Sequence, residues 1–277
     1  MLSMSDFVLV NRRRKRCNGR RNFSRGAETL TQAWEGCEVD HDSSYYYYLL
    51  RTLDGTLVKI RDTSFAKLVL SRLTESLTIL NSNGISEIVC YGLGRFSQHR
   101  SSRYQLALLL YLKERYDARV YIYDPIFNPQ EVLVLRALGL EIIETNEEGK
   151  RIVRDETTTL VYMPHCSRQL MNNFLYANWG DGLSNCILFA NSFSRIINSC
   201  SRRIILDTAG YMLRIRPYVT ELQLENSFVH EEVFNDLNIH IFTKQDLLKI
   251  PPDFWDSREE PRYLTDEVEF IRTATLW

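Results

Sequence analysis

Four places in this chain put groups that can bind or react directly after a short apolar run. Ile88-Val89-Cys90-Tyr91 opens into Gly92-Leu93-Gly94, Val120-Tyr121-Ile122-Tyr123 into Asp124-Pro125, Leu160-Val161-Tyr162-Met163 into Pro164-His165-Cys166, and Ile187-Leu188-Phe189-Ala190 into Asn191-Ser192. A Gly-x-Gly turn after a strand lets backbone N–H groups approach a phosphate, and a carboxylate after the next strand can accept ribose hydroxyls. Histidine beside cysteine offers acid/base or thiolate chemistry. Each feature also has a plainer reading. The glycines can serve only a tight turn, and Asp-Pro is ordinary turn chemistry in which the carboxylate caps a backbone N–H. The third glycine of a dinucleotide fingerprint is Ser97 here, and Asp124 follows Gly94 by 30 residues where roughly 20 is usual. A methyltransferase would carry an acidic residue where Cys90 stands. Neighbours in an extended segment point to opposite sides, so His165 and Cys166 are not expected to form a dyad with each other.

The residues around these runs predict the elements that hold them. Phe65, Leu68, Val69, Leu73, Leu77 and Leu80 recur at steps of three and four, one face of a helix closed by Asn83-Gly84. A leucine-rich helix over residues 104–116, capped by Ser101 or Ser102, is expected to be buried against a sheet. Residues 119–124 read as a strand, Pro129 opens a helix that Gly139 ends, and residues 140–144 read as a third strand. Residues 158–163 and 186–190 are a fourth and fifth, separated by a helix over 168–179. Strands joined by helices require right-handed crossovers, so the expected fold is α/β and Rossmann-like, with a largely parallel sheet and helices on both faces. Strand ends in such a sheet face one crevice, which makes Gly92, Gly94, Asp124, His165, Asn191 and Ser192 the candidate ligand-binding residues, with His165 and Cys166 the best catalytic candidates.

Several other features have a packing reading. Trp179 after Asn178 is expected to anchor a helix end, with Gly180 as its stop. The run Tyr45-Tyr46-Tyr47-Tyr48 lacks interleaved basic residues and reads as an aromatic edge on the core. Six cysteines (17, 37, 90, 166, 186, 200) and five histidines (41, 99, 165, 230, 240) show no Cys-x-x-Cys or His-x-x-x-His spacing, so no disulfide framework and no metal site is assigned. Without a Cys-x-x-Cys-His motif, direct haem ligation is disfavoured.

The net charge of −1 hides an asymmetry: the first 25 residues carry eight basic side chains against Asp6 alone, leaving 26 basic and 34 acidic side chains, or −8, for the rest. An acidic body has little reason to bind nucleic acid beyond the arm at 12–25, which reads as a mobile tail, an import signal or a polyanion contact. The longest apolar run, residues 106–112, is too short to span a membrane, and residues 7–10 are too few for a secretory signal. These readings divide the chain into a basic arm (1–44), one core domain (45–243) and an acidic C-terminal extension (244–277), in a soluble cytoplasmic protein with nuclear entry as an open alternative.

The runs VCYGLGRF, VYIYDPIFNPQE, LGLEIIETNEEGKR, YMPHC, LYANW, FANSF and FNDLNIHIF, in this order over roughly residues 85–242, resemble the SRR-like family, named for a plant mutant with reduced sensitivity to red light. Positions that match family patterns are Gly92, Gly94, Gln105, Asp124-Pro125, the turn at 146–150, His165-Cys166, Asn178-Trp179 and Asn191-Ser192. Where members often carry glycine before the Asn-Ser pair this chain has Ala190, which restricts the backbone there. The resemblance implies a regulatory protein, linked to circadian clock input in plants and, in animals, to clock-gene expression and the regulation of haem biosynthesis; it brings no established catalytic activity.

Three readings stay open. One is a regulator whose crevice takes a nucleotide-like ligand and which works through protein partners. Another is an enzyme with a nucleotide or adenosyl-methionine cofactor, Asp124 on the ribose and His165 as acid or base. The third is an interaction module built on the two extensions.

Overall fold

A computed structural model describes residues 41–153 and 157–263; the basic run at 12–25, Cys17, Cys37 and the chain beyond 263 lie outside the described residues. The elements are α1 His41–Arg61, α2 Ser64–Ile79, β1 Ile85–Tyr91, α3 Arg100–Tyr116, β2 Arg119–Tyr123, α4 Pro129–Ala137, β3 Glu141–Ile142, β4 Thr158–Met163, α5 Arg168–Ala177, β5 Cys186–Asn191, α6 Phe193–Ser199, α7 Arg202–Ile215, β6 Thr220–Gln223, α8 Glu231–Phe234, β7 Leu237–Ile241, α9 Lys244–Leu247 and α10 Pro252–Asp256.

The strands form one sheet in the order β3-β2-β1-β4-β5-β7-β6. The first five are parallel, and β7 runs antiparallel to both β5 and β6. Side chains alternate across each strand and so build two cores. Ile88, Cys90, Val120, Ile122, Leu160, Tyr162, Ile187 and Phe189 pack with α1 to α4 and α8. Val89, Tyr91, Val161, Met163, Leu188 and Ala190 pack with α5 to α7. From β1 the chain winds outward to β3 and then restarts at β4, beside β1. The order reverses between β1 and β4, which is where an open α/β sheet leaves a crevice outside its strand ends. The α/β, Rossmann-like, largely parallel expectation is borne out.

Local chemistry explains the boundaries. Asn128 and Glu131 make a reciprocal capping box with Pro129 in the first turn of α4, and Gly139 takes φ 73° to stop it. Thr63, Ser167 and Ser201 cap α2, α5 and α7.

Four expectations are corrected. Helix α3 starts at Arg100, with His99 at its cap and no side-chain cap bond, so Ser102 lies inside the helix, buried against the Gly94 turn. Helix α2 ends at Ile79, and the left-handed residue is Asn81 at φ 52°, ahead of Asn83-Gly84. Helix α5 ends at Ala177, short of Trp179. Strand β3 is two residues long; Ile143 adds one bond to Ile122 at 3.0 Å, and then the chain leaves the edge because α5 captures it, Asn173 Nδ2 donating to the Glu148 carbonyl at 2.9 Å and Asn178 Nδ2 to that of Arg151 at 2.8 Å.

Helix α1 carries Leu49, Leu53, Leu57 and Ile60 into the core. Of the tyrosine run, Tyr46 packs against that core, whereas Tyr45 and Tyr48 stack on each other in solvent.

Candidate functional site

Beyond β1 the chain turns through Gly92 at φ 67° and Gly94 at φ 77°, conformations that favour glycine. Close approach demands glycine as well: a Cβ on Gly92 would lie 2.4 Å from Cys166 Sγ, and one on Gly94 2.8 Å from Ser102 Oγ. Leu93 and Phe96 point into the core and fix the loop between them.

Two amides of this loop already have carboxylate partners. Gly94 N–H donates to Asp124 Oδ2 at 2.7 Å, while Asp124 Oδ1 accepts from Ile126 N–H at 3.0 Å. Three residues on, Ser97 N–H donates to Glu131 Oε1 at 2.8 Å, and Glu131 Oε2 accepts from Asn128 N–H at 3.0 Å. Glu131 is fully buried. A phosphate at these amides would have to displace two carboxylates and sit against their charge. The glycine turn therefore ties together the end of β2 and the start of α4.

His165 takes φ 57°, uncommon for a residue with a side chain. Its ring joins three segments: Gln105 Nε2 lies 3.3 Å from Nδ1, and Nε2 lies 3.1 Å from the Asn235 carbonyl. A neutral ring with its proton on Nε2 satisfies both contacts, a tautomer assigned from the network. The same Gln105 Nε2 donates to the Val233 carbonyl at 2.9 Å. Cys166 turns the other way and donates Sγ–H to the Tyr91 carbonyl at 3.2 Å. Burial, with the nearby charge of Asp124, pushes its thiol far above the usual range, which is the opposite of an activated nucleophile.

Asn191 Nδ2 donates to the Cys166 carbonyl at 2.9 Å, while its buried Oδ1 has no hydrogen-bond partner among the described residues. Ser192 caps α6 by accepting from Arg195 N–H at 3.1 Å and donates to Glu221 Oε1 at 2.5 Å. The predicted residues thus form one line of contacts, from Asp124 through Gly94 and Gly92 to Cys166, Asn191 and Ser192. His165 faces away from that line, toward α3 and the turn before β7.

Sequence reasoning missed the group at its far end. Glu221 of β6 accepts from Ser194 Oγ at 2.5 Å and Asn238 Nδ2 at 2.9 Å, and lies 3.6 Å from the Arg216 guanidinium and 3.5 Å from His240 Nε2. His240 is fully buried, stacked on Phe193 with ring centroids 4.0 Å apart. Burial opposes ionisation of Glu221, but His240 and the Ser192 and Ser194 hydroxyls outweigh it and hold the carboxyl well below its ordinary range. The one linear signal was a histidine between two isoleucines in a strand; nothing in the chain ties it to a glutamate nineteen positions earlier.

Among the described residues no group of three or more His, Cys, Asp and Glu side chains is placed to hold a metal ion, and no helix is long and apolar enough to cross a membrane. Polar cavities of about 480 and 680 Å³ open at the other end of the strands, where Ser86, Asp117 and Thr157 beside the starts of β1, β2 and β4 line both.

Fold and site together define a doubly wound α/β domain whose strand-end groups are hydrogen-bonded to one another. The SRR1 domain model matches residues 69–241, and the chain belongs to that family, as its seven short runs led us to expect. It is 39% identical to an SRR1-like protein of Mus musculus over 131 residues, covering 46% of this chain and 52% of the relative. An SRR1-like protein of Drosophila melanogaster is 33% identical over 193 residues, covering 69% and 67%. The Protein SENSITIVITY TO RED LIGHT REDUCED 1 of Arabidopsis thaliana is 30% identical over 172 residues, covering 58% and 62%. The chain thus spans about half the length of the mouse relative and about two thirds of the other two.

Proposed function

We propose that this chain is a regulatory protein that acts in circadian clock-gene control and in the regulation of haem biosynthesis, through protein partners and without turning over a substrate at the strand ends. Family membership supports the regulatory role. The observation that carries the non-catalytic part is the pairing of Asp124 and Cys166: Asp124 accepts two backbone N–H groups and the buried Cys166 donates to a carbonyl, while the exposed His165 is turned away from them with both ring nitrogens hydrogen-bonded. A general base or nucleophile needs a side chain that can reach substrate. The reading includes a cytoplasmic protein whose basic run at 12–25 admits it to the nucleus, which imaging of a chain lacking residues 1–25 tests. Deleting the protein and following haem content and clock-transcript rhythms tests the role itself. A change in either supports it, and normal values for both overturn it.

A second reading, a nucleotide-like or adenosyl-methionine ligand at the same rim, is favoured by the reversal of strand order between β1 and β4 and by the unpartnered Asn191 Oδ1. Mass spectrometry of small molecules released from the native protein, followed by thermal-shift titration with adenosyl-methionine and nicotinamide cofactors, tests it. No released compound and no shift removes it.

A further inference from the structure

Helix α7 is interrupted at Ala209, which takes φ −150° and ψ 38°. A break leaves the amides that follow without helical acceptors. Asn172 of α5, 3% exposed, supplies one: its Oδ1 accepts from Tyr211 N–H at 2.8 Å and from Met212 N–H at 3.4 Å. The other end of the same amide leaves the domain, since Asn172 Nδ2 donates to the hydroxyl of Tyr263 at 2.9 Å. That hydroxyl lies 3.1 Å from Asn173 Oδ1 and 3.3 Å from the Gln169 carbonyl. Three buried polar residues of α5 thus converge on one phenol from the far end of the described chain.

The segment that delivers Tyr263 is held as a bound peptide would be. Residues 257–263 have no regular secondary structure, and the domain reads their main chain. Arg214 donates to the carbonyls of Phe254 at 2.6 Å and Ser257 at 2.8 Å, and Tyr211 Oη donates to the Glu259 carbonyl at 2.6 Å. At the leading end Phe254 stacks on Trp179 with centroids 5.0 Å apart and Trp255 meets the same indole edge-on at 5.1 Å. The Arg214 guanidinium lies 4.6 Å from the Trp179 ring and 4.9 Å from Phe254. Aromatic anchors with a charged donor between them are what concentrates affinity in peptide and protein recognition.

The family match covers residues 69–241, which takes in α5, Trp179 and α7 and stops short of the segment 252–263. A cavity of about 730 Å³ remains beside it, reaching Leu206, Asp207 and Gly210 of α7, and Leu206 is half exposed.

We propose that the face formed by α5, Trp179 and α7 is a peptide-binding groove, occupied in cis by residues 252–263, that takes in trans a segment of a partner protein with the same chemistry: an aromatic pair on a helical turn, then an extended stretch with accessible main-chain carbonyls, then a tyrosine eight residues after the second aromatic. The in-cis segment acts as a competitor at the effective concentration of a tethered ligand, on the order of millimolar. Partners therefore bind in proportion to how weakly the segment is held.

The test uses the full chain and a fluorescent peptide of residues 251–263, PPDFWDSREEPRY, followed by anisotropy. The parent chain is expected to bind it weakly. A full-length Phe254→Ala, Trp255→Ala, Tyr263→Phe variant is expected to bind it at least tenfold more tightly, and adding Arg214→Ala to that variant is expected to abolish the gain. If the triple variant does not melt cooperatively, Glu260→Ala replaces it, which removes the segment's ion pair to Lys150 at 2.7 Å and leaves Asn172 and Asn173 their Tyr263 partner, and a gain of severalfold is expected. Equal binding by the parent and a folded segment variant, or a gain that survives Arg214→Ala, overturns the proposal.

Discussion

A Cβ on Gly92 would stand 2.4 Å from Cys166 Sγ, so the ends of β1 and β4 meet at a distance that only glycine permits. The thiol fills the space a side chain would need and hydrogen-bonds the Tyr91 carbonyl one residue earlier. The reversal point of the sheet is therefore closed by packing between two of the residues expected to line a ligand site.

Gly92→Ala should be costly on two counts. The left-handed conformation at φ 67° adds about 1–2 kcal/mol for a residue with a Cβ, and overpacking against Sγ adds about 1–3 kcal/mol. Cys166→Ala removes the obstructing sulfur and should recover the second part only. A urea-denaturation cycle over the two single variants and the double variant checks this. Strictly additive effects would mean that the two residues do not share the contact.

Thiol chemistry gives an independent view of the same packing. Burial raises Cys90 far above its ordinary range, with Cys166 and Asp124 adding to it, raises Cys166 likewise, and pushes Cys186 up to about 12. Thiolate is the reactive form, so an alkylating reagent at neutral pH should reach the partly exposed Cys200 well before these three. Peptide mapping of the native protein over a time course decides it. Early labelling of Cys166 would restore the nucleophile reading set aside here.

What the chain spelled out, and what it concealed, follows from the range of the interactions. The ends of β1, β2, β4 and β5 are punctuated locally, by Gly92, Asp124-Pro125, Pro164 and Asn191, and could be read with the parallel order they imply. Helix α1 escaped because the tyrosines and Gly55 blur the spacing of Leu49, Leu53, Leu57 and Ile60. The partners of the site residues were hidden for a different reason. Asp124 reaches back 30 residues to Gly94, His165 needs Gln105 sixty residues earlier, and Ser192 after β5 meets Glu221 of β6 past the intervening strand β7. No periodicity records such contacts. What competes with a phosphate at the glycine turn is Glu131, whose role as a helix cap was local but whose second bond, to Ser97, was not.

Glu221 should make stability depend on acid. Its folded carboxyl is held below the ordinary value of 4.5, so its contribution is complete above the unfolded value and declines as pH falls through and below about 4.5. Glu221→Gln should cost about 1–3 kcal/mol at pH 7, the penalty for mispaired buried donors, and should flatten the decline. Urea midpoints for both proteins between pH 7 and pH 3 test this. Parallel curves would show that another carboxylate carries the acid sensitivity.

The last test separates structure from chemistry at His165. Its left-handed backbone is shared most readily by glycine and asparagine, and an asparagine Oδ1 can accept from the Gln105 amide as Nδ1 does. His165→Asn should therefore cost no more than about 1 kcal/mol, whereas His165→Val, β-branched at φ 57°, should cost about 1–3 kcal/mol more. Asparagine cannot shuttle a proton near neutral pH. A strain carrying His165→Asn in place of the natural chain should then keep haem content and transcript rhythms at parental levels, with the valine variant impaired only as far as its lower abundance requires. Loss of either readout in a stable, normally abundant His165→Asn protein would assign the ring a proton-transfer role and return the strand-end rim to the enzymes.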